Sequence, residues 1–259
     1  MQAAERTDGY QAAAGYYDLF ASGHGDSALP SVAFFTALTP PGARVLDVGA
    51  GTGRITLPIA ERAASVHALE PSATMRAVLL ARISERPPLR SRVTVLPLAA
   101  PDFRLGRRFD YALVAGVLQF LTAAGRRELF EVLAAHLLPG GLLAIDMISD
   151  GPVPDWPDRL VEESVVGECR YRLRCGAKAD GPEHARLRLT YTTQHSDGLV
   201  STETVERDRY LHGRAATFAD LAATGFSVVG GSAERAASAE PPDGGTLIAR
   251  LEGTGEASC

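Results

Sequence analysis

Read as a pattern of apolar and polar positions, the chain changes character twice. Short apolar runs at 44–48, 65–70, 93–97, 109–115 and 142–148 are separated by stretches with helical spacing. Apolar runs of that length between helices predict βα repeats and a largely parallel, doubly wound α/β sheet. Ser72 and Thr122 stand where helix N-caps are wanted, and Leu129, Leu133 and Leu137 give the helix after Thr122 one apolar face. Pro139-Gly140-Gly141 stops that helix and releases the chain into the 142–148 strand.

The pattern then switches to strict alternation. In 168–175, Arg170, Arg172 and Arg174 oppose Cys169, Tyr171 and Leu173, as in a strand with one wet face. A second alternating run, 185–195, follows the turn Asp180-Gly181-Pro182, and a third, 199–211, follows Asp197-Gly198. The three read as an antiparallel β meander inserted into the parallel layout. Beyond it the first pattern returns. Thr217 with Asp220 resembles a helix capping box, Gly225 suits the cap at the other end, and strands are predicted at 226–230 and 245–251, the last of them antiparallel.

These readings divide the chain into an N-terminal helical cap (1–40), a ligand-binding core (41–155), an inserted meander acting as a lid (156–213), the end of the core (214–251) and a tail (252–259). The cap carries Tyr10, Tyr16, Tyr17, Asp18 and Phe20 and ends at the breaker Pro40-Pro41-Gly42.

Composition narrows the class of protein. The 259 residues are 46% hydrophobic and 22% charged, enough to bury a sizeable core. A net charge of −5 gives no electrostatic reason to sit on a phosphate polymer or an anionic bilayer, so a small-molecule partner is expected rather than nucleic acid or membrane. A homodimer is compatible with the chain. The N-terminus has no apolar run of roughly 7–15 residues behind a basic segment. Nor do about 18 apolar residues follow one another anywhere, so the expected location is the cytoplasm. Cys169, Cys175 and Cys259 are odd in number and lack Cys-x-x-Cys spacing, which argues against a disulfide framework or a zinc cluster.

The first strand runs into Asp47-Val48-Gly49-Ala50-Gly51-Thr52-Gly53, with a helix expected from near Arg54. Glycines let the backbone turn sharply and approach a ligand with no Cβ in the way. Glu70 ends the next strand, about 20 residues on, where a carboxylate can accept both hydroxyls of a ribose. Together they specify a nucleoside. A dinucleotide site wants G-x-G-x-x-G, but Arg54 stands where the third glycine would fall, and no Ser/Tyr-x-x-x-Lys pair suggests an oxidoreductase.

Val45 to Gly53, Glu70-Pro71-Ser72, Phe109-Asp110 and Leu138-Pro139-Gly140-Gly141 resemble the motif series of class I S-adenosylmethionine (SAM)-dependent methyltransferases, in their small-molecule, natural-product branch. The resemblance covers about 15–150 and, less specifically, 217–251. It implies a Rossmann-like core with SAM as cofactor. Gly49 and Gly51 would pass the methionine part and Glu70 would hold the ribose, with Asp47, Ala50 and Pro71 also in the cofactor site, and Ala115 and Gly116 would lie beneath the sulfonium. Tyr17 resembles the N-terminal tyrosine that reaches the methionine carboxylate in small-molecule members. The family often carries an acidic residue for the adenine amino group after the third strand. This sequence has Leu98-Ala99 there, with Asp102 as a substitute a few residues on.

What is absent bears on the acceptor. Ala115-Gly116-Val117-Leu118 stands where the nucleobase-amino enzymes of the family carry Asn/Asp-Pro-Pro-aromatic, and no acidic residue falls between Asp110 and Glu128 to hold a metal. The layout of the meander resembles the lid of bacterial enzymes that methylate sugars, aminosugars or aromatic natural products. The resemblance therefore implies methyl transfer to O, N or C of a small molecule in bacterial secondary metabolism. The alternative is a SAM-binding protein that catalyses another step, such as a cyclisation, or serves as a non-catalytic subunit. An amine acceptor need only be neutral, whereas a phenol or carbon acid wants a general base. His212 and His195 are the leading candidates, with Glu203 and Asp150 behind them. His67 and His136 are expected to be structural.

Overall fold

The computed structural model describes residues 10, 14–23, 29–231 and 245–253. Most of the predicted 252–259 tail and of the polar 231–244 link lies outside them, as does Cys259. In chain order the elements are α1 (Ala14–Gly23), α2 (Leu29–Leu38), β1 (Arg44–Val48), α3 (Thr56–Arg62), β2 (Ser65–Leu69), α4 (Ala73–Ser84), β3 (Val93–Leu96), β4 (Phe109–Val114), α5 (Ala123–His136) and β5 (Leu137–Ile148). After these come β6 (Trp156–Val166), β7 (Cys169–Ala179), β8 (His184–His195), β9 (Val200–Tyr210), α6 (Arg214–Ala223), β10 (Phe226–Gly231) and β11 (Gly245–Leu251).

Seven strands form one sheet in the order β10-β11-β5-β4-β1-β2-β3. The β1–β2, β2–β3, β1–β4 and β4–β5 pairs are parallel, while β11 runs antiparallel to both β5 and β10. The predicted α/β sheet, mostly parallel with its last strand reversed, is the one observed. Its central strands read as unbroken apolar runs because helices cover both faces. Leu46 and Val48 of β1 join a core with Leu129, Phe130 and Leu133 of α5, whereas Val45 joins a second core with Phe35 of α2, Ile59 of α3 and Leu79 of α4. Each fully buried Leu contributes about 1.5–3 kcal/mol.

Ser72 and Thr122 cap α4 and α5 as predicted, accepting from Met75 N and Gly125 N at 3.1 Å each. The capping box predicted at Thr217 is not formed. α6 starts earlier, at Arg214, and Thr217 inside it donates its hydroxyl to Gly213 O at 2.9 Å. Asp150, from the loop after β5, accepts Arg214 N at 2.7 Å and so takes over a capping bond. Asp220 instead pairs with Arg126 of α5 at 2.5 Å. Gly225 does end α6 with φ 84°, as expected.

The inserted sheet has four antiparallel strands, β6-β7-β8-β9, rather than the three predicted. β6 escaped because its alternation is interrupted. Its register with β7 shifts between Trp156 and Arg159 and again between Leu160 and Glu162, and each bulge turns the following side chains to the other face. One face of this sheet packs on α1, where Tyr16 and Phe20 meet Tyr171, Leu173, Leu189, Tyr191 and Val205. The other face carries the arginines of β7 and their acidic partners Glu163 and Asp158. Among the described residues no helix is long and apolar enough to cross a membrane.

Candidate active site

The predicted cofactor residues of the core lie at or just beyond the C-terminal ends of β1, β2, β3 and β4. After β1 the loop turns through Gly49, Gly51 and Gly53, with φ of 82°, 55° and 86°. Gly49 N and Ala50 N donate to Leu69 O at 2.8 and 2.9 Å, fastening the loop to the end of β2. The three glycines do different jobs. A Cβ on Gly49 would lie 2.2 Å from Val117 Cγ2, and one on Gly53 would lie 2.4 Å from Leu79 Cδ1, so both are demanded by packing. A Cβ on Gly51 would meet nothing within 4 Å. That side of the loop is open.

Glu70 stands beside it, 5% exposed, with Oε2 accepting Gly51 N at 2.8 Å and Oε1 accepting Ser72 N at 2.7 Å. The two bonds hold the carboxylate rigidly beside the glycine loop. Pro71 next to it is exposed, and its carbonyl accepts from Arg76 at 2.7 Å. Asp47 lies under the loop, 2% exposed, and accepts the Thr56 hydroxyl at 2.6 Å. Burial pushes its carboxyl up to about 7, against the Thr56 bond. The helix expected from near Arg54 begins at Thr56, so Asp47 ties the first turn of α3 to the strand before it.

α1 covers the loop. Asp18 accepts the Thr52 hydroxyl at 2.8 Å and pairs with Arg82 of α4 at 2.8 Å, while Arg82 also donates to Thr52 O at 3.1 Å. Tyr17 on the same helix is 43% exposed, yet desolvation of its phenol raises the pKa, and the charges of Arg54, Asp18, Asp146 and Glu70 all reach it. That helix therefore borders the loop, Glu70 and the ends of β4 and β5 at once.

At those ends Ala115 and Gly116 follow β4, and Gly116, at φ 66°, donates its N–H to Asp146 Oδ1 of β5 at 2.6 Å. Asp146 is 6% exposed, and burial pushes its carboxyl up to about 7. Sequence reasoning passed over it. The available signal was a lone acid in the apolar run Leu142 to Ile148, because a carboxylate is seldom fully buried without a partner or a task.

On the far side of Glu70, Leu98 is half-buried against the core and Ala99 follows it, while Asp102 is exposed. The remaining wall is aromatic. Arg207 of β9 lies 4.0 Å over the Tyr10 ring, which meets Phe120 edge-on at 6.4 Å. Tyr16 contacts Tyr191 at 5.1 Å between ring centroids, and its hydroxyl lies 2.5 Å from Thr193 Oγ1.

Solved structures share this architecture. The chain is similar to SAM-bound CalS10, an amino pentose methyltransferase from Micromonospora echinaspora, with 23% identity, 91% of this chain and 96% of that one covered, and a TM-score of 0.68. It is similar to the sugar N-methyltransferase KedS8 of a Streptoalloteichus species, with 23% identity, 92% and 93% covered, and a TM-score of 0.72. DesVI of Streptomyces venezuelae aligns at 21% identity over 93% and 98%, with a TM-score of 0.72. A search of the curated proteins returned no match. Residues 46–143, the span from the glycine loop to β5, match the family model described as a methyltransferase domain. That span carries a methyltransferase domain, and the chain shares the fold of these solved methyltransferases.

In a domain of this kind the glycine loop and Glu70 are the residues that would hold SAM. Gly51 has nothing within 4 Å of where a Cβ would stand, and the Glu70 carboxylate lies beside it, bonded to its N–H.

The two histidines expected to act as bases do not fit that role. His212 is 1% exposed with both ring nitrogens engaged, Nδ1 with Arg126 at 2.7 Å and Nε2 with Leu118 O at 2.7 Å. Neither ring nitrogen is left free, and burial lowers its pKa. His195 ends β8 opposite Cys169, at the far end of the meander from its junctions with the core, and its ring pairs with Asp197 at 2.7 Å and Glu168 at 3.3 Å. Glu203 and Asp150 are both exposed, and Asp150 is committed to α6. His136 is structural as expected, taking Leu105 N at 3.0 Å and reaching Val132 O at 2.7 Å.

Proposed function

We propose that this protein moves the methyl group of SAM to an amine nitrogen on a sugar-like small molecule, as a step in building a bacterial natural product. The observation that carries the reading is a carboxylate near aromatic rings. The buried carboxylate of Asp146 lies near enough to Tyr17 for its charge to reach that phenol, and Tyr10 in turn interacts with Tyr17 and Tyr191. Carboxylate and ring faces both attract an ammonium group, whereas a neutral hydroxyl gains little from either. That CalS10 is described as an amino pentose methyltransferase and KedS8 as a sugar N-methyltransferase supports the same class of acceptor.

When bound, SAM supplies a methyl group on a sulfonium that is already a good leaving group. The protein then has to place the acceptor and keep water out, and alignment of reactants alone can lower a barrier by about 7–11 kcal/mol. Glu70 and the glycine loop fix one reactant. The aromatic face of the meander, held on α1 through Tyr16, fixes the other and excludes solvent. Tyr10 stays neutral at working pH, because burial pushes its phenol up to about 12 with Arg207 opposing the shift.

Release of S-adenosylhomocysteine is the direct test. Nucleotide-linked and free amino sugars are expected to support it, and the same sugars with hydroxyl in place of amine are not. Turnover of the hydroxyl series with none of the amines would overturn the nitrogen reading. The expected setting is the cytoplasm, in keeping with a soluble cosubstrate.

A further inference from the structure

Among the described residues, Asp146 is a buried carboxyl at the C-terminal edge of the sheet that no ion pair holds. Its Oδ1 accepts Gly116 N at 2.6 Å, and no other described residue is seen to donate to the carboxyl from elsewhere in the chain. β5 is two strands from β1, with β4 between them, and Val117, directly after Gly116, packs against Gly49 of the loop. The carboxyl therefore sits at the C-terminal edge of the parallel strands, beside the cradle, where ligands of open α/β sheets bind. Tyr17 lies within electrostatic reach of Asp146, Glu70 and Arg54.

We propose that the Asp146 carboxylate is the general base that takes the proton from the acceptor heteroatom. The inference rests on methyl transfer from SAM but not on the acceptor atom being nitrogen, since an ammonium and a hydroxyl must each lose a proton. The X–H bond breaks and its proton goes to Asp146 Oδ2. The electron pair left on X forms the X–CH3 bond while the C–S bond breaks and leaves its pair on sulfur. Asp146 then returns the proton to solvent. Burial has raised this carboxyl to about 7, where a base is half-ready at physiological pH and strong enough to accept a proton. On α1 the titratable group that faces it is Tyr17, β4 presents the Gly116 N–H, and β11 passes with Thr246 between the register pairs Ile145–Leu247 and Ile148–Gly245.

The test is Asp146→Asn, whose amide oxygen can keep the Gly116 bond while the group loses its basicity. In the full-length protein, S-adenosylhomocysteine affinity measured by calorimetry is expected to stay within about twofold. Turnover of the best acceptor from the amine and hydroxyl panels is expected to fall on the order of 10²–10⁴-fold, with the acid limb of the kcat profile abolished. The Gly116 amide proton, donated straight to Asp146, provides a readout that needs no acceptor. Its chemical shift should titrate near neutrality in the wild type and stay flat in the variant. A variant within tenfold of wild type, a parallel loss of S-adenosylhomocysteine binding, or a Gly116 shift that is flat in the wild type would each overturn the proposal. If hydroxyls are methylated and amines are not, the nitrogen reading fails while the Asp146 comparison still decides its own question.

Discussion

Thr52, in the glycine loop, donates its hydroxyl to Asp18 on α1 at 2.8 Å, and the free end of that carboxylate is held by Arg82 at 2.8 Å. A helix from the N-terminal cap is thereby clamped over the cofactor loop by a partly buried, charge-assisted bond. Asp18→Ala is expected to raise the dissociation constant for SAM by about 5–30-fold, which corresponds to about 1–2 kcal/mol. The thermal midpoint should move by only a few degrees, because α1 lies outside the two main cores. Calorimetry with SAM checks this, and an unchanged affinity would remove the clamp from the binding site.

Gly51 and Gly53 are expected to separate binding from stability. Both have positive φ, so alanine at either costs about 1–2 kcal/mol in backbone strain. Gly51→Ala adds its methyl to open space on the ligand side and should lose SAM binding with little further change in stability. Gly53→Ala drives its methyl into Leu79, which is fully buried, and should cost about 1–3 kcal/mol more through overpacking. Thermal midpoints and SAM titrations of the pair are the measurements, and equal effects of the two on binding would refute the division.

Asp47 predicts a pH-dependent gain. Its folded pKa of about 7 lies above the 3.8 of the free group, so between those values the folded state holds a proton that the unfolded chain has released. The stability linked to that proton is complete below about 3.8 and drains away as pH rises through about 7. Asp47→Asn keeps an acceptor for the Thr56 hydroxyl and never pays for burying a charge. Its thermal midpoint should exceed that of the wild type by more at pH 8.5 than at pH 5.5. A constant difference across that range would show that the carboxyl does not ionise on this schedule.

His212 should behave as a strut. Replacing it with Phe leaves a buried Arg126 N–H without its partner, at a cost of about 1–3 kcal/mol, or roughly 2–8 °C in thermal midpoint. The acid limb of the kcat profile should survive in the folded fraction. Loss of that limb with an unchanged midpoint would restore His212 as a base and undercut Asp146. The wild type should also weaken in acid at this site. Its folded pKa is below the usual 6.5, so the unfolded chain binds the proton first as pH falls.

The order of strands and helices, the glycine loop and Glu70 were legible along the chain, because each depends on local rules. Parallel strands buried on both faces must be apolar throughout, left-handed turns favour glycine, and a carboxylate at a strand end beside such a turn has few other uses. The four strands of the inserted sheet were only partly legible, since the two bulges in β6 erase the period that announces a strand. The start of α6 was misplaced for a related reason. Its capping bond comes from Asp150, 64 positions away, and not from the residues beside it.

The roles of the ionisable groups were decided by the tertiary structure alone. His212, Asp47 and Asp146 differ in function because of what lies across the nearest strand or helix: Arg126 and Leu118 for the first, Thr56 for the second, the Gly116 amide for the third. A sequence states which side chains are available to bear charge. Burial and hydrogen-bond partners set their proton affinity, and both are made by residues distant along the chain. From its sequence the glycine loop and Glu70 could be placed at neighbouring strand ends, while the buried pairing of Asp146 with Gly116 emerged only when β4 and β5 were laid side by side.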